Sequence, residues 1–510
     1  MSGIKNNVTK TLMSAVFSVL ALVISLAIDF FLSPYIVENI GVEANGYVQM
    51  ANNLISIASL VTIALNSMGA RTIAIHFYKD EFDECKKYYS SLIVGNIALS
   101  IILLVPAIIC VWKINYIFDI VNISVFDAKV LFLFAFLNFF VSQFVSLFNI
   151  STFVKNQQYL SSIANIVIVL FKIALYFLFF YLLSAKVYVV TLVAFISNLL
   201  QTILVFVIKK HVLSEICFSF DHVSFNCIFH LFKFGFWNSL NQSGNILMTG
   251  LDLMIANWFI NPTLMGVLSV AKIVPNVIVT LSTTLNNSVL SHQTIIYATE
   301  TNEEFVKKLE FYIKISMIAV SLPVCIFLVF SLRFYNLWQP TLDSKTLSLL
   351  SFLSLLALIP LSGVQILYNV LTCMNKLKVN ALSFLVTGVV NVLLVLVFTK
   401  YTSLSVFAVA GVSSVLSILR MTIVMLPYIS RILKQKRTYF YKYILKSLFL
   451  FLMISAISLP FALIPLNGWI PLVFGVFFSF VISLLGCYIL VFSQEEKKIF
   501  KTYFTERLSK

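Results

Sequence analysis

The stretch ILKSLFLFLMISAISLPFALIPLNGWIPLVFGVFFSFVISLLGCYILVF, residues 444–492, carries one charged side chain, Lys446. A break at PLNGW, 465–469, divides it into two apolar runs, 444–465 and 471–492. Each matches the roughly 20 residues a helix needs to cross a hydrocarbon core of about 30 Å. Backbone groups in such a core are satisfied only within helices or closed barrels, and these runs are too long and uniform for barrel strands. They read as two membrane helices joined by a short turn.

The same pattern extends along the whole chain. Its 510 residues are 60% hydrophobic, 15% aromatic and only 11% charged, with a mean hydropathy of +0.99. A soluble domain is roughly 45 to 50% apolar and about 25% charged, so one aqueous core cannot hide this much apolar surface. Working outward from 444–492, further spans are expected at 11–35, 47–77, 91–111, 130–153, 160–181 and 187–208, then at 236–260, 266–291, 311–331, 349–371, 381–399 and 404–426. The expectation is an all-α polytopic membrane protein of about fourteen transmembrane helices. The run at 11–35 lacks a small-residue cleavage site and exceeds signal-peptide length, so it reads as the first span.

Loop charges orient the chain. With residue 1 inside, twenty-four Lys and Arg fall in cytoplasmic segments and six outside. Lys and Arg stay preferentially on the cytoplasmic side, so both termini are expected there. The net charge of +15 then reflects topology and lipid headgroups and calls for no nucleic-acid partner. The longest inner connection, 209–235, mixes aromatic and basic residues and suits an interfacial segment. It suggests a first lobe at 1–208, a linker at 209–235, a second lobe at 236–430, and a final helix pair with a basic tail at 431–510. The two six-helix lobes would be pseudosymmetric around a central cavity.

The seven cysteines show no CxxC pairing and the five histidines no metal-ligand spacing, so neither a disulfide framework nor a metal site is expected. The outer connections, the longest near 112–129 and 331–348, contain no nucleophile, carboxylate pair or metal constellation. An integral polymerase or ligase would need one, so the chain does not read as an enzyme.

At an offset of 220 residues Gly46 aligns with Gly266, Ala51 with Ala271, Leu65 with Leu285 and Asn66 with Asn286, the kind of internal repeat on which transporter folds are built. Polar residues inside the spans form stripes at about 100° per residue. The seventh span carries Asn238, Asn241, Gln242, Asn245, Thr249 and Asp252 on one face, and the eighth carries Ser269, Lys272, Asn276, Thr280, Thr283, Asn287 and Ser291. The first has Ser14, Ser18, Ser25 and Asp29, and the second Asn52, Ser56, Ser59 and Asn66. Such residues often join membrane helices by hydrogen bonds. Four stripes on the first two helices of each lobe, two ending in carboxylates, point instead to a water-filled cavity. Its expected substrate-facing residues are Asn52, Asn66, Asn241, Asn245, Lys272, Asn276, Lys172 and Arg420. Asp29 and Asp252 are candidates for ion coupling or a structural ion pair, and Lys172 and Arg420 suit an anionic headgroup.

SPYIVENIGVEANGYVQMA (33–51), KFGFWNSL (233–240) and LDLMIANWFINPTLMGVLSVAKIV (251–274) carry a family resemblance. They resemble the polysaccharide-transporter branch of the multidrug/oligosaccharidyl-lipid/polysaccharide exporter superfamily, the Wzx-type flippases. Leu268 stands where many relatives have Tyr, and a Gly usual near Asn261 is absent. The resemblance implies alternating-access transfer of an oligosaccharide on a polyprenyl pyrophosphate from the inner to the outer leaflet of a bacterial plasma membrane. A polysaccharide polymerase and glycosyltransferases would be pathway partners. No cofactor is implied beyond a Na⁺ or H⁺ gradient. The rival readings are a cation-coupled multidrug exporter of the same superfamily and a lipid II flippase. Relatives of the latter type carry Arg in the first helix, where this chain has Asp29.

Overall fold

A computed structural model describes residues 2–183, 186–464, 468–494 and 496–497. The side chains of 2–16, 18, 19, 22, 29, 183 and 291 lie outside the described residues, and with them the expected polar positions Ser14, Ser18, Asp29 and Ser291. Every regular element among the described residues is helical. The first seven helices are α1 (Ser2–Asn39), α2 (Val42–Phe77), α3 (Phe82–Trp112), the short α4 (Ile114–Ile117), α5 (Val125–Val154), α6 (Gln158–Leu183) and α7 (Tyr188–Val212). Next come α8 (Phe225–Asn245), a π-helical segment at Ile246–Gly250, α9 (Asp252–Phe259), α10 (Pro262–Ala271), α11 (Ile273–Ser288) and α12 (Leu290–Thr299). The remaining elements are α13 (Asn302–Trp338), α14 (Ser344–Leu355), α15 (Leu358–Leu361), α16 (Tyr368–Cys373), α17 (Leu377–Tyr401), α18 (Ser405–Leu419), a second π segment at Arg420–Met425, α19 (Leu426–Ile432), α20 (Tyr441–Leu463) and α21 (Trp469–Val491).

Among the described residues, ten stretches are long and apolar enough to cross a membrane, with Ser405–Ile432 taken as one, and an eleventh is added if the pair bent by 42° at Lys272 forms a single span. The chain is therefore a multi-pass helical membrane protein. The other expected spans fall on α1, on α8 and α9 across a π segment, and on α14 to α16, where the helix is broken twice.

Local chemistry sets the helix ends. Ser124 caps α5 by accepting from the Asp127 amide at 2.9 Å, and Thr301 and Glu304 form a reciprocal capping box at the start of α13. Asn156 after α5 and Asn375 after α16 adopt φ of 51° and 53°, the left-handed conformation that terminates helices and that Asn tolerates.

Contacts divide the chain into two compact units. One contains Met1–Val270 with Phe384–Val406, and the other contains Ala271–Ser383 with Phe407–Lys510. These limits follow packing and differ from the sequence boundaries at 209–235 and 430. Most of α17 joins the first unit because it lies directly against α8 and the π segment that follows. A Cβ on Gly388 would stand 2.7 Å from Leu247 Cβ, and one on Gly244 would stand 2.7 Å from the Phe384 carbonyl carbon. Small residues let membrane helices approach this closely. Asn391 of α17 then donates its amide to the Leu247 and Met248 carbonyls, each at 3.1 Å. A π segment disturbs the helical ladder at those carbonyls, and Asn391 supplies the donor that apolar surroundings would not.

Within the first unit the repeat is visible as contact. Gly46 and Gly266 pack together, so that a Cβ on Gly46 would lie 3.1 Å from Gly266 Cα. Thr263 donates to the Glu43 carboxylate at 2.7 Å across a separation of 220 residues. Equivalent residues of the repeat thus touch one another where the start of α2 meets α10.

Candidate functional site

Asn66 is the expected cavity residue that the structure places in a described pocket. Its amide donates to Asn96 Oδ1 at 3.1 Å and reaches Gln143 Oε1 at 3.4 Å, while Asn96 returns a bond to Asn66 Oδ1 at 2.8 Å. Three helices, α2, α3 and α5, are thereby joined by carboxamides. Below this knot opens a cavity of about 340 Å³ whose polar lining is Asn66, Ser146, Asn149, Thr152, Gln158, Ser161 and Ser162. Ser161 donates to Asn149 Oδ1 at 2.7 Å and lies 2.8 Å from the Thr152 hydroxyl. Every polar group in this lining is uncharged, offering donors and acceptors in the way that hydrated hydroxyls do.

The second unit builds a related cluster. Ser316 donates to Asn286 Oδ1 at 3.0 Å, and Asn369 donates to the Asn286 carbonyl at 2.8 Å. Asn286 and Ser316 are 30 residues apart, as are Asn66 and Asn96. Asn149 and Asn369 are themselves related by the 220-residue offset, together with Leu147 and Leu367 and with Thr152 and Thr372. This match between LFNIST and LYNVLT was the signal for Asn149 that the stripe analysis passed over. Asn96 and Gln143 lie on α3 and α5, outside the first two helices of each lobe on which the polar stripes were found.

Arg420 lies in the same unit, bound to the residue that precedes Asn369. It opens the π segment and is 8% exposed. Its guanidinium donates to Asn380 Oδ1 at 3.0 Å and to the Tyr368 hydroxyl at 2.7 Å, with the Tyr368 ring centroid at 5.3 Å. Tyr441 donates to the Thr422 carbonyl of the same π segment at 2.5 Å, serving it as Asn391 serves the other.

The remaining expected residues lie on α2, α6, α8, α9 and α11 and at the α10–α11 junction. Asn52, Asn245 and Asn276 are exposed on α2, α8 and α11, and Asn241 is half-buried. Lys272 sits at the junction between α10 and α11, and Asp252 is buried at the start of α9. Lys172, midway along α6, lies 5.7 Å from the Tyr176 ring centroid. Among the described residues no group of three or more His, Cys, Asp or Glu is placed to hold a metal.

No family model matches the chain. In sequence it is 23% identical over 484 residues to the uncharacterized membrane protein EpsK of Bacillus subtilis (strain 168), covering 94% of this chain and 95% of that protein. In structure it is similar to a multidrug-resistance MATE-family transporter of the MOP superfamily in an inward-facing conformation. That likeness has a TM-score of 0.66 and 14% identity, over 82% of this chain and 94% of the other. It is also similar to the lipid II flippase MurJ in an inward-closed conformation, with a TM-score of 0.64 and 14% identity over 92% of this chain and 98% of the other. This is a MATE- and MurJ-like fold. The likeness concerns architecture alone.

Proposed function

We propose that the chain is a flippase that moves polyprenyl-pyrophosphate-linked oligosaccharide repeat units from the inner to the outer leaflet of a bacterial plasma membrane for surface-polysaccharide assembly. The observation that carries this reading is the uncharged, hydrogen-bonding pocket around Asn66, Asn149 and Ser161 inside a membrane bundle of this fold. A sugar drawn into hydrocarbon loses water hydrogen bonds unless polar partners replace them, and carboxamides and hydroxyls are such partners. Fourteen spans, two lobes at 1–208 and 236–430 that rock in alternating access, and cytoplasmic termini complete the proposal. A polymerase and glycosyltransferases would act on either side of the transfer.

Buried Asp252 favours one other reading, a cation-coupled exporter, because an intramembrane carboxylate is a natural ion site. The test is transfer of a fluorescent polyprenyl-diphosphoryl oligosaccharide in vesicles reconstituted with the full chain. Transfer well above that of protein-free vesicles is expected. Export of organic cations under a Na⁺ or H⁺ gradient, with no lipid-linked sugar moved, would replace this reading with the other.

A further inference from the structure

Helix α6 carries three different surfaces in sequence along one face. Gln158, Ser161 and Ser162 line the polar pocket at its first turn. Asn165 follows one turn later, and Lys172 lies midway. Ile173, Tyr176 and Phe180 then line an apolar groove of about 680 Å³ against Ile24, Ile28 and Phe31 of α1. At 100° per residue Gln158, Ser161, Ser162, Asn165, Lys172, Ile173, Tyr176 and Phe180 fall within about 120° of arc. Ser161 and Lys172 are about 16 Å apart along the axis at 1.5 Å per residue. All of these residues belong to the first unit.

Uncharged polar, cationic and apolar aromatic surfaces in that order match one ligand chemistry, a sugar joined through phosphate to a long hydrocarbon. Resting on the flippase reading, we infer that α6 is the loading track for the lipid-linked saccharide. The sugar occupies the Asn149–Ser161 pocket, the diphosphate lies beside Lys172, and the first isoprene units lie in the α1–α6 groove. Charge complementarity assigns the middle of the track: an ammonium within the membrane span attracts phosphate oxygens and repels a cationic drug. The aromatic walls at Phe31, Tyr35, Tyr176 and Phe180 offer broad rigid faces to the methyl-branched planar units of an isoprenoid. With residue 1 inside, α6 runs from the cytoplasmic to the external side. A lipid on this track thus keeps its inner-leaflet orientation, head toward the cytoplasm, before translocation.

The test uses the full chain in nanodiscs and a probe of defined chemistry, glucosyl-diphosphoryl-farnesol with a diazirine on its terminal isoprene unit. After irradiation, peptide mapping is expected to place labels on α1 and α6 at Phe31, Tyr35, Phe177 or Phe180. Unlabelled glucosyl-diphosphoryl-farnesol should compete, and phosphatidylglycerol at equal concentration should not. Lys172→Gln and the pair Tyr176→Ala with Phe180→Ala should each reduce labelling about tenfold, the loss of one ion contact or of two aromatic walls. Leu178→Ala, on the opposite face, should leave it unchanged. Labels confined to other helices, or equal competition by phosphatidylglycerol, would overturn the track, and mapping the unmodified chain makes that outcome independent of variant folding. Labelling on α1 and α6 by a protein that transfers no lipid-linked sugar would keep the track and defeat the transport reading. Transfer with labels elsewhere would do the reverse.

Discussion

The surroundings of Phe148 and Asn149 and those of Tyr368 and Asn369 occupy matching places in the internal repeat, yet the first border open space and the second bind an arginine through Tyr368. In the first unit the positions flanking Asn149 are Phe148 and Leu160, and a cavity of about 340 Å³ remains. At the offset of 220 residues the second unit has Tyr368 and Asn380, both of which bind Arg420. The residue 220 positions before Arg420 is Leu200. Changes from Phe to Tyr and from Leu to Asn therefore supply the two acceptors that make a buried guanidinium tolerable. A shared scaffold thus yields an uncharged recess in one copy and a buried, hydrogen-bonded cation in the other. The pair teaches that the repeat keeps Asn at 66 and 286 and at 149 and 369, while neighbouring positions decide what these residues border.

The largest effect is expected where a charge is buried. Tyr368→Phe combined with Asn380→Leu removes two acceptors from Arg420 and should cost about 3 kcal/mol, read as thermal unfolding of the detergent-solubilised protein. Arg420→Met in the same background should recover most of that loss. The corresponding change in the first unit, Asn149→Leu with Ser161→Ala, should cost only about 1 kcal/mol, because water in the pocket can meet the remaining groups. Equal losses in both units would erase the distinction between an open and a filled cluster.

A smaller effect tests the contact between equivalent residues of the repeat. Gly266→Ala places a Cβ 2.5 Å from the Val42 carbonyl oxygen, against rigid backbone, and should destabilise by about 2 kcal/mol. Gly46→Ala chiefly meets the flexible Met265 side-chain tip, and should cost less. The smallest effect lies outside both clusters. The Asp343 carboxylate is held below its ordinary range by the Thr346 hydroxyl first and then by the Thr346 and Lys345 amides at the start of α14. A depressed folded-state pKa adds stability above the unfolded value, near 4, and that contribution disappears as pH falls through the folded value. The melting difference between the protein and Asp343→Ala should therefore shrink below about pH 4. A difference that grows there would contradict the assignment.

Much of the membrane character was legible because length and apolarity act locally: the runs at 444–465 and 471–492 became α20 and α21 with shifts of a few residues. Asn66 was legible because polar residues recur on its face of α2. The acceptors of Arg420 were not legible, because they stand 52 and 40 residues away in sequence, beyond any helical period. The two π segments were not legible either. Each is stabilised by a distant side chain, Asn391 or Tyr441, rather than by its own residues. The division into compact units escaped prediction because α17 follows Gly244 and Gly388 to its partner, a contact that no boundary in the sequence announces.

If the recess in the first unit receives the sugar of a lipid-linked cargo, its lining sets the rate at which glucosyl-diphosphoryl-polyprenol crosses vesicles containing each variant at equal folded amount. Asn149→Leu with Ser161→Ala should lower the rate about tenfold or more, the equivalent of about 1.4 kcal/mol in binding. Lys172→Gln should lower it similarly, and Lys172→Arg should retain part of it. Leu178→Ala should transfer at the unaltered rate. Unaltered transfer by the Asn149→Leu, Ser161→Ala protein, with Leu178→Ala behaving identically, would contradict the claim.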